Sequence, residues 1–237
     1  MNKKLALIFA LAVVCQSAFA VTITQWDFNS NPSDANTSTG TTTPAIGLGT
    51  ASLLGVTGSF SSGDANGGST DPNVGDDSGW QTTGYAAQNT ASGTRGVQFL
   101  SSTVGFNNIV VSWDCRHSNT SSRYTQLDYT LDGGTSWTAF MTHDANLGGD
   151  TWYNGITANL SSVTGAANNA DFGVRIVSVF APTGGGYVAT TSTATYATTG
   201  TLRYDMVNVS GQAVPEPASL AALGIGVAAL IRRRRTR

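Results

Sequence analysis

Side chains able to do acid–base or nucleophilic chemistry are scarce between residues 21 and 213: two histidines, His117 and His143, one cysteine, Cys115, and no glutamate, since Glu216 is the first. No Gly-x-Ser-x-Gly nucleophile elbow and no His-Glu-x-x-His zinc pattern is present. Cys115 and His117, two apart, would share a strand face, but a structural zinc takes four ligands and two are too few. The expectation is a buried, hydrophobe-like Cys115 and a solvated His117 at a strand end. Two aspartates could serve a glycosidase only at a set separation with one raised pKa, which spacing does not supply. The prediction is a chain that is not an enzyme, with a secreted glycan-active hydrolase as the rival reading.

Oxygen ligands are more plentiful. Asp144, Asn146 and Asp150 surround Gly148-Gly149, with oxygen donors at the first and third places and glycine at the sixth of a calcium loop. The pattern then fails at the fifth place, Gly148, and at the twelfth, Gly155, where a bidentate glutamate belongs. A looser calcium loop at Asp144, Asn146 and Asp150 is therefore weighed against ordinary solvated turn residues. The tract from Ser59 to Gly79, with Asp64, Asp71, Asp76 and Asp77 among glycines, reads either as a linker or as a loop ordered by a metal.

Aromatic residues offer a second route to function. Trp80, Tyr85, Trp137, Trp152 and Tyr153 sit in or near polar, loop-like sequence. Flat rings on one exposed face would stack on sugar rings, which makes Trp80, Trp137, Trp152 and Tyr153 candidate glycan-binding residues; packing into the core is the competing reading. The strand texture resembles that of β-sandwich carbohydrate-binding modules. The stretch from Tyr129 to Trp137, with its Asp-Gly-Gly turn, resembles a hairpin common in secreted β-domains.

These residues must be positioned by strands. Alternation is clear from Asn108 to His117, where Ile109, Val111, Trp113 and Cys115 oppose Val110, Ser112, Asp114 and Arg116. Similar patterns run over Tyr124 to Leu131, Phe172 to Phe180 and Thr201 to Val209, and a return strand carries Trp137 and Phe140. An opening strand, Val21 to Phe28, is expected beside the closing one, so the fold class is all-β, a jelly-roll-like antiparallel β-sandwich. From that opening strand to Gln98, apart from Ile46 to Val56 and Trp80, polar composition predicts long surface loops, and Gly184 to Gly200 reads as a long hairpin or loop. Thirteen aspartates against five arginines and no lysine leave residues 21–213 at a formal charge of −8. That balance lacks the basic footprint of nucleic-acid binding, and no nucleic acid is expected as a partner.

The two ends carry addresses. Lys3 and Lys4 precede an apolar run, Leu5 to Val14, and Ala18-Phe19-Ala20 offers small residues to a signal peptidase, so residues 1–20 read as a signal peptide helix. Residues 214–237 read Pro215-Glu216-Pro217, an uncharged stretch, and then Arg232, Arg233, Arg234, Arg235 and Arg237. The 14 residues from Ala218 to Ile231 span roughly 21 Å as a helix, short of the ~30 Å hydrocarbon core, so the transmembrane helix would be a marginal anchor helped by snorkelling arginines. Lysines at one end and arginines at the other both belong in the cytoplasm, which leaves residues 21–213 outside as the ectodomain.

This tail resembles the PEP-CTERM sorting signal of Gram-negative bacteria, through Pro215, Glu216, Pro217, the apolar run and the arginine cluster. The resemblance implies an exported protein that is anchored transiently in the inner membrane and processed by an exosortase-type enzyme. It would then pass to the cell surface or an extracellular exopolysaccharide matrix. The role expected there is structural or adhesive, with carbohydrate binding as its finer form and a purely structural envelope protein as the alternative.

Overall fold

Alternation such as that from Asn108 to His117 puts apolar side chains on one face only, and that face must find a second apolar surface. The computed structural model, which describes residues 19–73, 75–146 and 148–214, supplies it as two antiparallel sheets packed face to face. The signal segment before residue 19 and the tail, with Pro215, Glu216, Pro217, Arg232 to Arg235 and the expected transmembrane helix, lie outside the described residues. Among the described residues no helix is long and apolar enough to cross a membrane.

The first sheet holds β1 (Ala20–Trp26), β3 (Thr57–Ser62), β4 (Ser78–Thr83), β6 (Phe106–His117), β9 (Thr151–Asn159) and β11 (Leu202–Ala213). Its order is β3-β4-β11-β6-β9, and β1 shares with β4 the flank of β11 that β6 leaves free. The second sheet holds β2 (Thr50–Leu54), β5 (Gly96–Leu100), β7 (Tyr124–Thr130), β8 (Thr138–Asp144) and β10 (Gly173–Ser178), in the order β2-β5-β10-β7-β8. The opening strand does lie against the closing one, with Trp26 opposite Val207. Successive strands pass repeatedly between the two sheets of this all-β antiparallel sandwich.

Between the sheets sits one aromatic-rich core. Trp26 and Phe99 approach to 5.0 Å between ring centroids, Phe28 stacks on Trp80 at 5.5 Å, and Trp80 meets Phe99 edge-on at 6.2 Å. Ile109, Val111, Trp113 and Cys115, the apolar face of β6, are all buried here, as the alternation predicts. Strands β3 and β4 form where long loops are expected. Their large inward side chains are chiefly Phe60 and Trp80, so the pairing of β3 with β4 and of β4 with β11 replaces the apolar periodicity that sequence reading requires.

The turn after β7 is closed by its own side chains. Gly133 and Gly134 adopt φ of 69° and 93°, and the Asp132 carboxylate accepts the Ser136 backbone N–H at 2.9 Å and the Thr130 hydroxyl at 2.7 Å. The Ser136 hydroxyl, which donates to the other Asp132 oxygen at 2.5 Å, does most to hold Asp132 down to about 2, below the usual carboxylate range, and the Ser136 N–H and Thr130 hydroxyl add to it.

Candidate functional site

Two places gather polar groups outside the core: an open cleft along one edge of the sandwich and a buried acidic pocket on its outer face. The cleft arises because β2 and β3 are consecutive yet belong to different sheets. Their link crosses the edge at Gly55, whose φ of 64° turns the chain and whose carbonyl accepts Arg95 Nη1 at 3.0 Å. Between the two edge strands and residues 40–42 lies a cavity of about 490 Å³. Trp80 and Phe60 contribute its rings, and Thr41, Thr42, Ser52 and Ser59 contribute hydroxyls. Glycine at 58 keeps it open, since a Cβ there would stand 3.0 Å from Trp80 Nε1. None of the lining residues is titratable.

The other candidate aromatics do not join Trp80, and Trp80 itself is 4% exposed and largely core. Trp152 and Tyr153 are consecutive in β9, so their side chains leave on opposite faces of the sheet and cannot share a platform. Trp152 is buried on the outer face, donating Nε1–H to the Ala65 carbonyl at 2.8 Å. Tyr153 is buried on the inner face against the rings of His117 and His143, at 5.3 and 5.2 Å between centroids. Tyr85 is core, with its hydroxyl 2.5 Å from that of Thr82. Trp137 is half-buried beside the β7 turn, with the Arg175 guanidinium 4.9 Å over its ring. Arg175 in turn donates to the buried Asp128 carboxylate at 2.7 Å. An exposed platform of Trp80, Trp137, Trp152 and Tyr153 is thus replaced by a cleft that keeps only Trp80.

His117 also departs from expectation. It is fully buried, with Nδ1 at 3.0 Å from the Ser122 carbonyl, and burial together with the neighbouring His143 pushes its pKa down to about 3. The strand end is covered because residues 118–124 fold back over it and β8 brings His143 alongside. Cys115 is buried as expected, and desolvation raises its thiol pKa.

The looser calcium loop is occupied by arginines. Arg123 grips both oxygens of Asp144, at 2.5 and 2.9 Å, and Arg116 pairs with Asp150. Asn146 is exposed beside them. A cation held by Asp144, Asn146 and Asp150 would have to displace two ion pairs.

Carboxylates converge instead where residues 63–73 and 75–77 lie as a strap across the outer face of the first sheet. Trp152 holds the strap at Ala65, Asn154 donates to the Gly68 carbonyl at 3.0 Å, and Asp114 accepts both the Thr70 N–H and hydroxyl at 2.6 and 2.7 Å. Under it, ligand oxygens of Asp71, Asp77 and Asp205 lie within 4.8 Å of one another. Asp77 is 1% exposed and Asp205 fully buried. Asp77 Oδ1 and Asp205 Oδ2 meet no donor from another group among the described residues, and the two carboxyls are close enough to share a hydrogen bond when one is protonated. At an effective dielectric near 20, two carboxylates that close repel by roughly 3–4 kcal/mol. Burial, then the nearby carboxylates, push Asp77 up to about 6 and Asp205 well above its ordinary value.

Asp205 is aimed by a bulge in β11. The register slips between Asp205 and Asn208, Met206 takes a φ of 45°, and its N–H donates to Asp205 Oδ1 at 2.7 Å. Sequence reading assigned Asp205 to the polar face of a half-wet strand. The stretch from Ser59 to Gly79, which the sequence reads as a linker or a loop ordered by a metal, supplies the other two carboxylates.

Residues 213–235 match the PEP-CTERM protein-sorting motif, so the chain is an exported protein sorted at the membrane. No curated protein sequence matches the chain. Among solved structures, it is similar to the CBM22-1 and GH10 modules of endo-1,4-β-D-xylanase 10B of Clostridium thermocellum complexed with xylohexaose, at 14% identity and a TM-score of 0.45, covering 84% of this chain and 30% of that one. It is also similar to the CBM22-1 xylan-binding domain of the Paenibacillus barcinonensis xylanase Xyn10C, at 14% identity and 0.36, covering 69% and 86%. A cleaved adhesin domain of Lys-gingipain from Porphyromonas gingivalis matches at 10% identity and 0.35, covering 69% and 98%.

Proposed function

We propose that this exported sandwich is a non-catalytic adhesive module of the cell surface or extracellular matrix that holds a glycan chain in its edge cleft. One observation carries the reading: the cleft combines the half-buried Phe60 ring and the rim of the largely core Trp80 with four hydroxyl side chains and has no titratable group. Rings supply apolar faces for sugar C–H groups and hydroxyls exchange hydrogen bonds with sugar hydroxyls, whereas glycoside hydrolysis needs a carboxylate pair at the scissile bond. The carboxylates that do converge are under the strap and absent from the cleft lining, which also favours binding over hydrolysis.

Retention of the protein on exopolysaccharide from the producing cells tests this. Phe60→Ala removes a ring and Ser59→Arg fills the cleft from an exposed position; each is expected to weaken retention about tenfold or more, equivalent to ~1.4 kcal/mol. Trp137→Ala, outside the cleft, should leave retention unchanged. Loss on Trp137→Ala with no effect of Ser59→Arg would move the site away from the cleft. Absence of retention on any glycan would remove the adhesive reading and leave a structural envelope protein.

A further inference from the structure

The acidic pocket asks for something the protein chain does not supply. Three carboxylates are gathered there, two of them almost or fully buried, and among the described residues no arginine or lysine forms an ion pair with any of the three. Arg203, the nearest cation in electrostatic terms, donates instead to the Ser62 carbonyl and to Gln81 Oε1 at 2.6 Å. Buried carboxylates are ordinarily hydrogen-bonded or paired, so Asp77 Oδ1 and Asp205 Oδ2, which among the described residues face each other and no other donor, are exceptions that call for a positive ligand. We propose that Asp71, Asp77 and Asp205 together bind a calcium ion that fastens the strap to the outer face of the first sheet.

The surrounding chain is arranged for such an ion. Asn29 orders Asp71 from one side, donating Nδ2–H at 2.7 Å, and accepts the Ser78 N–H at 2.8 Å from the other. The strap closes so tightly on Asp77 that a Cβ at Gly63 would fall 1.6 Å from its Oδ1, so only glycine leaves room for that oxygen. A cavity of about 220 Å³ lined by Asp27, Asn29 and Asn73 adjoins Asp71 and offers a path from solvent. The donors are all oxygens, two from the strap and one from β11, which suits the larger, geometrically tolerant calcium ion better than magnesium with its strict octahedron. Export places the site where calcium is available at the 10⁻⁴–10⁻³ M that extracellular modules are tuned to, as an order of magnitude.

The site does not depend on the cleft, and its test reads neither glycan nor retention. The full chain in mild detergent, stripped with EDTA, is melted with and without calcium chloride. Saturating calcium at about a hundred times Kd should raise Tm by roughly 5–10 °C, and magnesium at the same concentration by far less. Asp205→Asn and Asp71→Asn should each abolish most of that rise. Without calcium, Asp205→Asn should melt no lower than the stripped wild type, because the amide removes a buried like charge. A Tm indifferent to calcium up to 10 mM, on the order of the weakest extracellular sites, would overturn the proposal in favour of Asp77 and Asp205 sharing a proton. So would an unchanged calcium shift in both variants. Terbium luminescence sensitised by nearby Trp152, quenched by added calcium, gives a second measurement that does not rely on melting.

Discussion

His117 is a buried neutral imidazole, and its cost at low pH can be worked from the structure. Its folded pKa lies near 3, against about 6.5 in an unfolded chain. Between those values the unfolded state binds a proton that the native state does not, so stability is full above pH 6.5 and falls as pH drops toward 3. The slope is about 1.36 kcal/mol per pH unit, so lowering the pH from 6.5 to 5 should remove roughly 2 kcal/mol through this residue alone. The groups facing it are His143 from β8, Tyr153 from β9 and the Ser122 carbonyl, with Cys115 two places before it on its own strand. None of these supplies a negative charge to a buried imidazolium; His143, itself lowered chiefly by burial, adds a smaller slope of the same sign. Urea denaturation in EDTA at pH 7.5, 6.5, 5.5 and 5 should therefore show the wild type losing about 2 kcal/mol more than His117→Gln over that range. The acidic pocket contributes a slope of opposite sign, because its raised carboxylates gain protons in the native state, but that slope is common to both proteins and cancels in the difference. Parallel curves for wild type and variant would refute the reasoning, as would a His117 ring resonance that titrates near pH 6.5 in the native protein.

Other consequences follow from single contacts. Asp128→Asn should cost about 2–3 kcal/mol in urea denaturation, since it strips the charge from a buried carboxylate that holds Arg175, and the near-ultraviolet signal of Trp137 should change with it; a cost under roughly 0.5 kcal/mol would show the pair to be inconsequential. Gly63→Ala should destabilise by about 1–3 kcal/mol and expose the strap to limited proteolysis between residues 64 and 75, because the new Cβ collides with Asp77. Cys115, buried with a raised thiol pKa, should be inert to a thiol reagent in the native protein and react stoichiometrically once urea unfolds it. Mass spectrometry of protein from envelope and medium should find a species ending near Pro215 if the tail is processed; intact Arg237 in every fraction would contradict processing.

The strands that sequence made legible are those whose stability comes from their own apolar alternation. In β6, Ile109, Val111, Trp113 and Cys115 alternate and are buried, and in β7 Leu127 is buried with Tyr129 packed beside the core, so the pattern alone specifies both the element and its inward face. The edge strands β2 and β3 and the inner β4 obey a different rule. Thr50–Leu54 and Thr57–Ser62 hold few large side chains, and they are strands because β5 and β4 offer them partners. No local window contains that information. The misplacement of Trp152 and Tyr153 has the same origin. Read as loop residues they could share a face; once β9 pairs with β6 they are forced apart, one under the strap and one into the core.

The acidic pocket was hidden for a different reason. Alternation in Thr201 to Val209 identifies Asp205 as outward-facing, and in an antiparallel sheet with one wet face an outward aspartate is simply solvated. What changes its meaning is a tract 130 or so residues earlier in the chain, which read by itself is either a linker or a loop ordered by a metal and points to no strand in particular. The strap converts both sets from surface to interior: Asp114, Arg116, Trp152 and Arg203 on the same outer face are all 9% exposed or less. A sheet covered in this way has two interiors, one apolar and one polar. The apolar one is written in the period of the strands. The polar one can be inferred only from a chain segment rich in glycine and aspartate that is too short on apolar residues to be held in place by packing, and so must be held by hydrogen bonds and charge.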